Sequence, residues 1–295
     1  MLIARRTLLA ALLAAPVPGL AAPACNQRLE PLNAICAGIE RKSGGRYGLA
    51  VLDTQDGARF GWNEDLRFPM CSTFKALLAG HILWLAEHKR LSLAEPVPIR
   101  REDMIDVAPL TEPRIGQSMT LAELCHATVT TSDNPAANLL LRRLGGPAAL
   151  TQWLHGLGDH TTRLDRNEPK MNEALPLDPR DTTTPEAMLA TIQRLTLGRA
   201  LTPAGRRQLT AWMAGSVTGG AMLRDALPAG WREANKTGAG AHGTRGIVSL
   251  MHPPARRPIL VAAYLRDGED TLAARNAHFP PIARALGEAT LSACV

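Results

Sequence analysis

Apolar positions along the chain change period in a way that marks out its elements. From Leu29 to Ser43 they recur at helical spacing and stop at Gly44-Gly45, which predicts an amphipathic helix with a glycine terminus. Tyr47 to Thr54 and Ala58 to Trp62 are short apolar runs separated by the turn signal Gln55-Asp56-Gly57, so they predict a β-hairpin. A helix is then predicted from near Ser72, with Phe74, Leu77, Leu78, Ile82 and Leu85 at helical spacing. Further helices divided by Pro/Gly loops are predicted over Leu121 to Thr131, Pro135 to Leu144, Pro147 to Leu157, Thr184 to Thr196 and Pro203 to Met213. Strand-like runs return at Trp231 to Asn235, Gly246 to His252 and Pro258 to Leu265, and a helix over Thr271 to Leu291 closes the chain.

Strands at both ends with helices between predict an α+β chain whose ends share one antiparallel sheet and whose helical middle is inserted. The stretch from Arg163 to Asp181 has little periodicity and three prolines, and a loop of that length is usually functional. Ahead of the fold, Arg5-Arg6 precede an apolar run from Leu8 to Leu20 with small residues at Ala22 and Ala24, the pattern of a secretory signal peptide over residues 1–24. Arg5-Arg6-Thr7-Leu8-Leu9 also resembles a twin-arginine signal, which leaves the route, Sec or Tat, open. The expected location is periplasmic or secreted, with no stable membrane anchor.

A hydrophobic content of 45% and charged content of 20% are those of an ordinary globular protein, so composition excludes a disordered or membrane-spanning chain. The formal charge is +6, about +4 without Arg5 and Arg6, and the basic residues are scattered. With 4% aromatics, a nucleic-acid partner has little support. The cysteines Cys25, Cys36, Cys71, Cys125 and Cys294 form no C-x-x-C pair, and the eight histidines lack ligand spacing, so neither a metal nor another cofactor is expected.

Candidate chemistry begins at Ser72-Thr73-Phe74-Lys75, which puts a hydroxyl and an amine one turn apart at the positive end of a helix. Burial in an apolar helix favours the neutral amine, and such an amine can activate a serine. Ser-x-x-Lys arises by chance about once or twice in a chain of this length, and the other fragments are equally ordinary one at a time. Ser132-Asp133-Asn134 before Pro135 reads as a turn and helix cap, and Lys236-Thr237-Gly238 as a strand end. Glu168-Pro169-Lys170-Met171-Asn172 lies in the long loop. Their order in one chain is what makes coincidence remote.

In that order the motifs resemble those of the class A serine β-lactamases, and the resemblance runs from about Leu29 to the C-terminus. It implies a hydrolase acting on cyclic amides. The implied fold is a two-domain β-lactamase/transpeptidase-like one: a five-stranded antiparallel sheet flanked by helices, from residues 25–62 and 219–295, with an inserted all-α domain, 63–218. It implies that Ser72 is acylated, and that Lys75 and Glu168 share its activation, Glu168 through a water that Asn172 helps hold. Which of the two is the acylation base stays open, whereas deacylation falls to Glu168. Backbone N–H groups of Ser72 and Ala239 would form the oxyanion hole. Ser132 would relay a proton to the lactam nitrogen beside Lys236. Thr237, Gly238 and Arg245 would bind the substrate carboxylate region and Asn134 the acylamide. Arg166 and Asp181 would pair to close the loop, and the Glu168–Pro169 bond is typically cis in the family.

Departures from the family pattern bear on spectrum and cysteines. Cys125 faces Ala79 where the family often has a disulfide, and Cys71 faces Gly240 where some carbapenem-hydrolysing members have one, so neither bridge is expected and a carbapenemase is disfavoured. The family's antiparallel first and last helices imply a Cys25–Cys294 bridge, with Cys36–Cys294 as the alternative. Val107 replaces a rim aromatic. Gly240 and Ala241 suit a penicillinase or a broader cephalosporinase, and Ser132 with Arg245 implies inhibition by clavulanate-type compounds. A monomer is the default. The rival readings are a penicillin-binding D,D-transpeptidase or carboxypeptidase, which lacks a deacylating carboxylate matching Glu168, and a β-lactam sensor domain, which needs an anchor or output domain.

Overall fold

Gly44 adopts φ of 68° and its N–H bonds the Glu40 carbonyl at 3.0 Å, ending helix α1 (Pro31–Ser43) where the glycine pair predicts. The computed structural model describes residues 26–269 and 271–291; the signal peptide, Cys25 and Cys294 lie outside them. Beyond α1, strand β1 (Arg46–Asp53) pairs antiparallel with β2 (Arg59–Trp62), Val51 opposite Phe60. Strand β1 also pairs with the far end of the chain, Val51 lying opposite Val261 of β5 (Ile259–Arg266). With β3 (Arg232–Ala239) and β4 (Arg245–His252) the five-stranded antiparallel sheet has the order β2-β1-β5-β4-β3.

Both faces of this sheet are covered, which is why its strands read as near-continuous apolar runs. Leu49, Val51, Ile247 and Val261 pack with Leu32 and Cys36 of α1 and with Ile282 and Leu286 of the C-terminal helix. The alternate residues Ala50, Leu52, Leu250, Leu260 and Ala262 face the second core, which continues into the helical middle. There lie α2 (Phe74–Glu87), α3 (Leu121–Thr130), α4 (Asn134–Leu144), α5 (Pro147–Gly156), α6 (Pro185–Thr196) and α7 (Pro203–Ala214). Every residue of α2 from Phe74 to Leu83 is buried, as expected of an apolar helix that starts near Ser72.

Two elements depart from expectation. The strand predicted over Trp231 to Asn235 runs on to Ala239, so it takes in Lys236-Thr237-Gly238, which lies at its end as expected and is held there by β4. The closing helix is two helices, α8 (Leu272–Asn276) and α9 (Pro280–Leu291), because Pro280-Pro281 cannot donate the hydrogen bonds that a continuous helix needs. Cys36, Cys71 and Cys125 are free, buried thiols. The alternative Cys36–Cys294 bridge also involves a residue outside the described ones; Cys36 itself packs in the core beneath the sheet.

Candidate active site

Cys71 to Thr73 form a single 3-10 turn leading into α2, with Cys71 at φ of 43°, and this strained entry presents Ser72 at the edge of β3. Gly238 is required at that edge, since a Cβ there would fall 2.6 Å from the Met70 carbonyl oxygen and 3.1 Å from Ser72 N. One turn beyond Ser72, at the start of α2, Lys75 is fully buried. Its ammonium donates to the Ser132 carbonyl at 2.9 Å and to Asn134 Oδ1 at 2.5 Å, and pairs with Glu168 Oε1 at 3.0 Å. The Ser72 hydroxyl donates to the same Glu168 oxygen at 3.3 Å. Loss of water pushes the Lys75 pKa below the ordinary lysine value, against the pull of Glu168.

Ser132 reaches this cluster because it takes φ of 63° between α3 and α4 and Asp133 fixes the turn behind it. The buried Asp133 carboxylate caps α4 by accepting from Ala136 N at 2.9 Å, and also accepts from Thr111 N at 2.9 Å and Leu110 N at 3.0 Å. Asn134 uses its oxygen on Lys75 and one amide hydrogen on the Asp106 carbonyl at 2.9 Å, which leaves its second amide hydrogen for a ligand. Lys236 bridges Ser132 Oγ at 3.1 Å and the Thr237 carbonyl at 2.9 Å. Burial, and after it the neighbouring Lys75 and Arg245, hold the Lys236 ammonium well below its ordinary pKa. Arg245 opens β4, donates to the Gly238 carbonyl at 2.9 Å and is fixed by Asn276 Oδ1 at 2.7 Å. Lys75, Lys236 and Arg245 thus stand against the carboxylates of Glu168 and, behind Ser132, Asp133, a surplus of positive charge suited to an anionic ligand.

The loop 163–181 delivers Glu168. Its ends are pinned by Asp181, which accepts from Asp165 N at 2.7 Å and Arg166 N at 2.9 Å and pairs with Arg166 Nε at 2.6 Å. The Glu168–Pro169 bond is cis. Asn172 donates to Glu168 Oε2 at 2.5 Å, and its carbonyl accepts from Ala241 N at 3.0 Å, so the loop also rests on the β3–β4 turn that follows Ala239. Val107 is exposed, with its backbone carbonyl accepting from Asn134 N at 2.9 Å. Cys71 faces Gly240, where a Cβ would lie 2.6 Å from its sulfur.

Several site residues carry no sequence signal of their own. Asn138, one turn after Asn134 on α4, accepts from Glu168 N at 3.0 Å and donates to its carbonyl at 2.9 Å; the four-residue spacing is the only hint. Thr218 bonds the Thr237 hydroxyl at 2.7 Å. Behind it, Arg224 donates to the Ser216 carbonyl at 2.8 Å and pairs with the buried Glu233 at 3.3 Å, which steadies the strand bearing Lys236. Among the described residues no cluster of three or more His, Cys, Asp or Glu could hold a metal ion, and no helix is long and apolar enough to cross a membrane.

A nucleophile, a buried amine, a carboxylate and a proton-relay hydroxyl within mutual reach can carry out acyl transfer in two steps. A family model described as "Beta-lactamase enzyme family" matches residues 30–289. Among solved structures, an ancestral class A β-lactamase is 49% identical, with 90% of this chain and 99% of that one covered and a TM-score of 0.85. A reconstructed last common ancestor of Gram-negative class A β-lactamases is 51% identical, covering 88% and 99%, with a TM-score of 0.86. A β-lactamase from Xanthomonas campestris pv. campestris is 46% identical, covering 89% and 98%, also with a TM-score of 0.86.

Proposed function

This chain belongs to the class A β-lactamases and hydrolyses the β-lactam ring; we propose that it does so on penicillins and cephalosporins through an acyl-enzyme on Ser72, conferring resistance to them. The observation that carries this reading is one buried contact set: Glu168 Oε1 within 3.3 Å of Ser72 Oγ and 3.0 Å of Lys75 Nζ. Ser72 Oγ attacks the lactam carbonyl and gives up its proton to Glu168 or Lys75, while the backbone N–H groups of Ser72 and Ala239 stabilise the oxyanion. The C–N bond breaks and Ser132, held by Lys236, gives its proton to the departing nitrogen and recovers the one taken from Ser72 through Lys75, whose Nζ lies 3.4 Å from Ser132 Oγ. A water then attacks the ester, Glu168 takes its proton and passes it to Ser72 Oγ as the ester C–O bond breaks, which frees the enzyme. Thr237 and Arg245 bind the substrate carboxylate, and Asn134 the acylamide.

An intact-mass time course with benzylpenicillin tests this. The expected result is a transient adduct on Ser72, followed by free enzyme and accumulating penicilloic acid. A persistent adduct would instead mean a transpeptidase-like binding protein or sensor, and neither adduct nor product would overturn the assignment. The same residues lead us to propose inhibition by clavulanate-type compounds. Residues 1–24 are proposed as a cleaved export signal that delivers the enzyme to the periplasm, and the enzyme itself as a monomer; the N-terminal sequence of the exported protein and its mass by light scattering check these.

Loop closure gives a further prediction. Arg166→Ala leaves the buried Asp181 carboxylate without its cation, so loop 163–181 loosens and Glu168 loses its position. Deacylation is expected to slow by about tenfold to a hundredfold with acylation much less affected, read from the steady-state fraction of acylated enzyme. The alkaline limb of the pH profile gives another. Lys236 must be charged to favour the substrate carboxylate, and its lowered pKa means that charge is lost as pH rises, before the ordinary lysine value of 10.5. kcat/KM is expected to fall below pH 10.5, and Lys236→Arg, which stays cationic, moves that limb upward. A limb unmoved in Lys236→Arg would assign the titration to another group.

A further inference from the structure

A cavity of about 520 Å³ opens between α7 and the start of β3, on the face of the sheet that carries the second core. Its floor is Ala234 and Leu250, and its walls include Leu197, Pro203, Ala211 and Ala214. This volume and apolar lining are those of a small-ligand site. Around that lining stand Arg206, Arg207, Arg232 and His252.

The charge of this region is one-sided. The 38 residues between Glu186 and Asp225 contain five arginines and no carboxylate. Arg206 is partly spent on the Leu197 and Gly198 carbonyls, whereas neither Arg207 nor Arg232 has an acidic partner among the described residues. The Nε2 atom of His252 is buried without a hydrogen-bond partner. Arg232 and His252 are directly paired across β3 and β4, so they share one face. The acids nearby are engaged elsewhere. Glu233 also borders the cavity, but its carboxylate is engaged on the opposite face of β3, where it accepts from Ser249 Oγ at 2.8 Å and Asn235 Nδ2 at 2.7 Å and pairs with Arg224. Glu87 accepts from Thr202 N and Oγ1 at the start of α7.

We propose that this cavity is a second, non-catalytic binding site for a small amphipathic carboxylate, its apolar body on Ala234 and Leu250 and its carboxylate between Arg207, Arg232 and His252. Guanidinium groups at the mouth of an apolar cavity match such a ligand in both parts, and a neutral or cationic amphiphile satisfies only one of them. The site stands independently of the catalytic roles assigned to Ser72 and Glu168. It shares β3 with Lys236 but opens on residues outside the reaction.

An NMR titration of the ¹⁵N-labelled protein with octanoate, and with octanamide as the uncharged control, tests the proposal. Saturable shifts are expected in α7, the first half of β3 and the end of β4, with octanamide at least tenfold weaker. The double variant Arg207→Glu/Arg232→Glu is expected to weaken octanoate at least tenfold with benzylpenicillin turnover unchanged. Ala211→Trp, which fills the cavity and keeps every charge, is expected to abolish binding, so the proposal stays testable if the double variant does not fold. Shifts centred on Thr237 and Arg245, equal affinity for octanamide, or octanoate affinity unchanged in both variants would overturn it.

Discussion

Glu168→Gln converts the enzyme into one that stops at the acyl stage. The carboxamide keeps the size of the side chain and can still meet Asn172, but it cannot take a proton from water. Deacylation is expected to fall by about 10³-fold, within the 10²–10⁴ range of general-base catalysis. Acylation is expected to fall less, because Lys75 remains beside Ser72 as a second acceptor. Burst kinetics with benzylpenicillin read the two steps separately: one equivalent of lactam ring opened in the burst, then near-arrest without released penicilloic acid, with the adduct on Ser72 visible by mass. Equal loss of both steps would instead make Glu168 the common base, with Lys75 acting only as its counter-charge.

Lys75→Met is expected to strike the first step. It removes the amine that contacts Glu168, Asn134 and the Ser132 carbonyl in a fully buried setting. Acylation is expected to slow by about 10³-fold. Glu168, 4% exposed, also loses the cation that lies 3.0 Å from its Oε1, so deacylation is expected to slow as well, by a smaller factor. Single-turnover rates separate the two steps, and an acylation rate within about tenfold of the unchanged enzyme would remove Lys75 from the first step.

The most legible parts of this molecule in its sequence were local. Gly44 ended α1 where it was expected, and Thr120, Asp133, Thr184 and Thr202 cap their helices with their own side chains, a signal confined to three or four residues. The strand runs were legible because both sheet faces are buried, which makes them continuously apolar. What was not legible depended on distant partners. The extension of β3 through Lys236 to Ala239 exists because β4 holds it, residue by residue, to Arg245. The break before Pro280 was missed because the apolar period continues through it.

The motifs Ser72-x-x-Lys75, Ser132-Asp133-Asn134, Glu168 to Asn172 and Lys236-Thr237-Gly238 named the reacting groups because chemistry constrains residue type and a short motif preserves it. Their arrangement belongs to the tertiary structure. Lys75 meets Asn134 across 59 residues, Ser72 meets Glu168 across 96, and Lys236 meets Ser132 across 104. Asn138, Thr218 and Asn276 entered the site only through such contacts. Sequence by itself determined which groups can react, since that is a property of side chains. Only the fold decided which of them share a buried volume, since burial and proximity set proton affinity and reach.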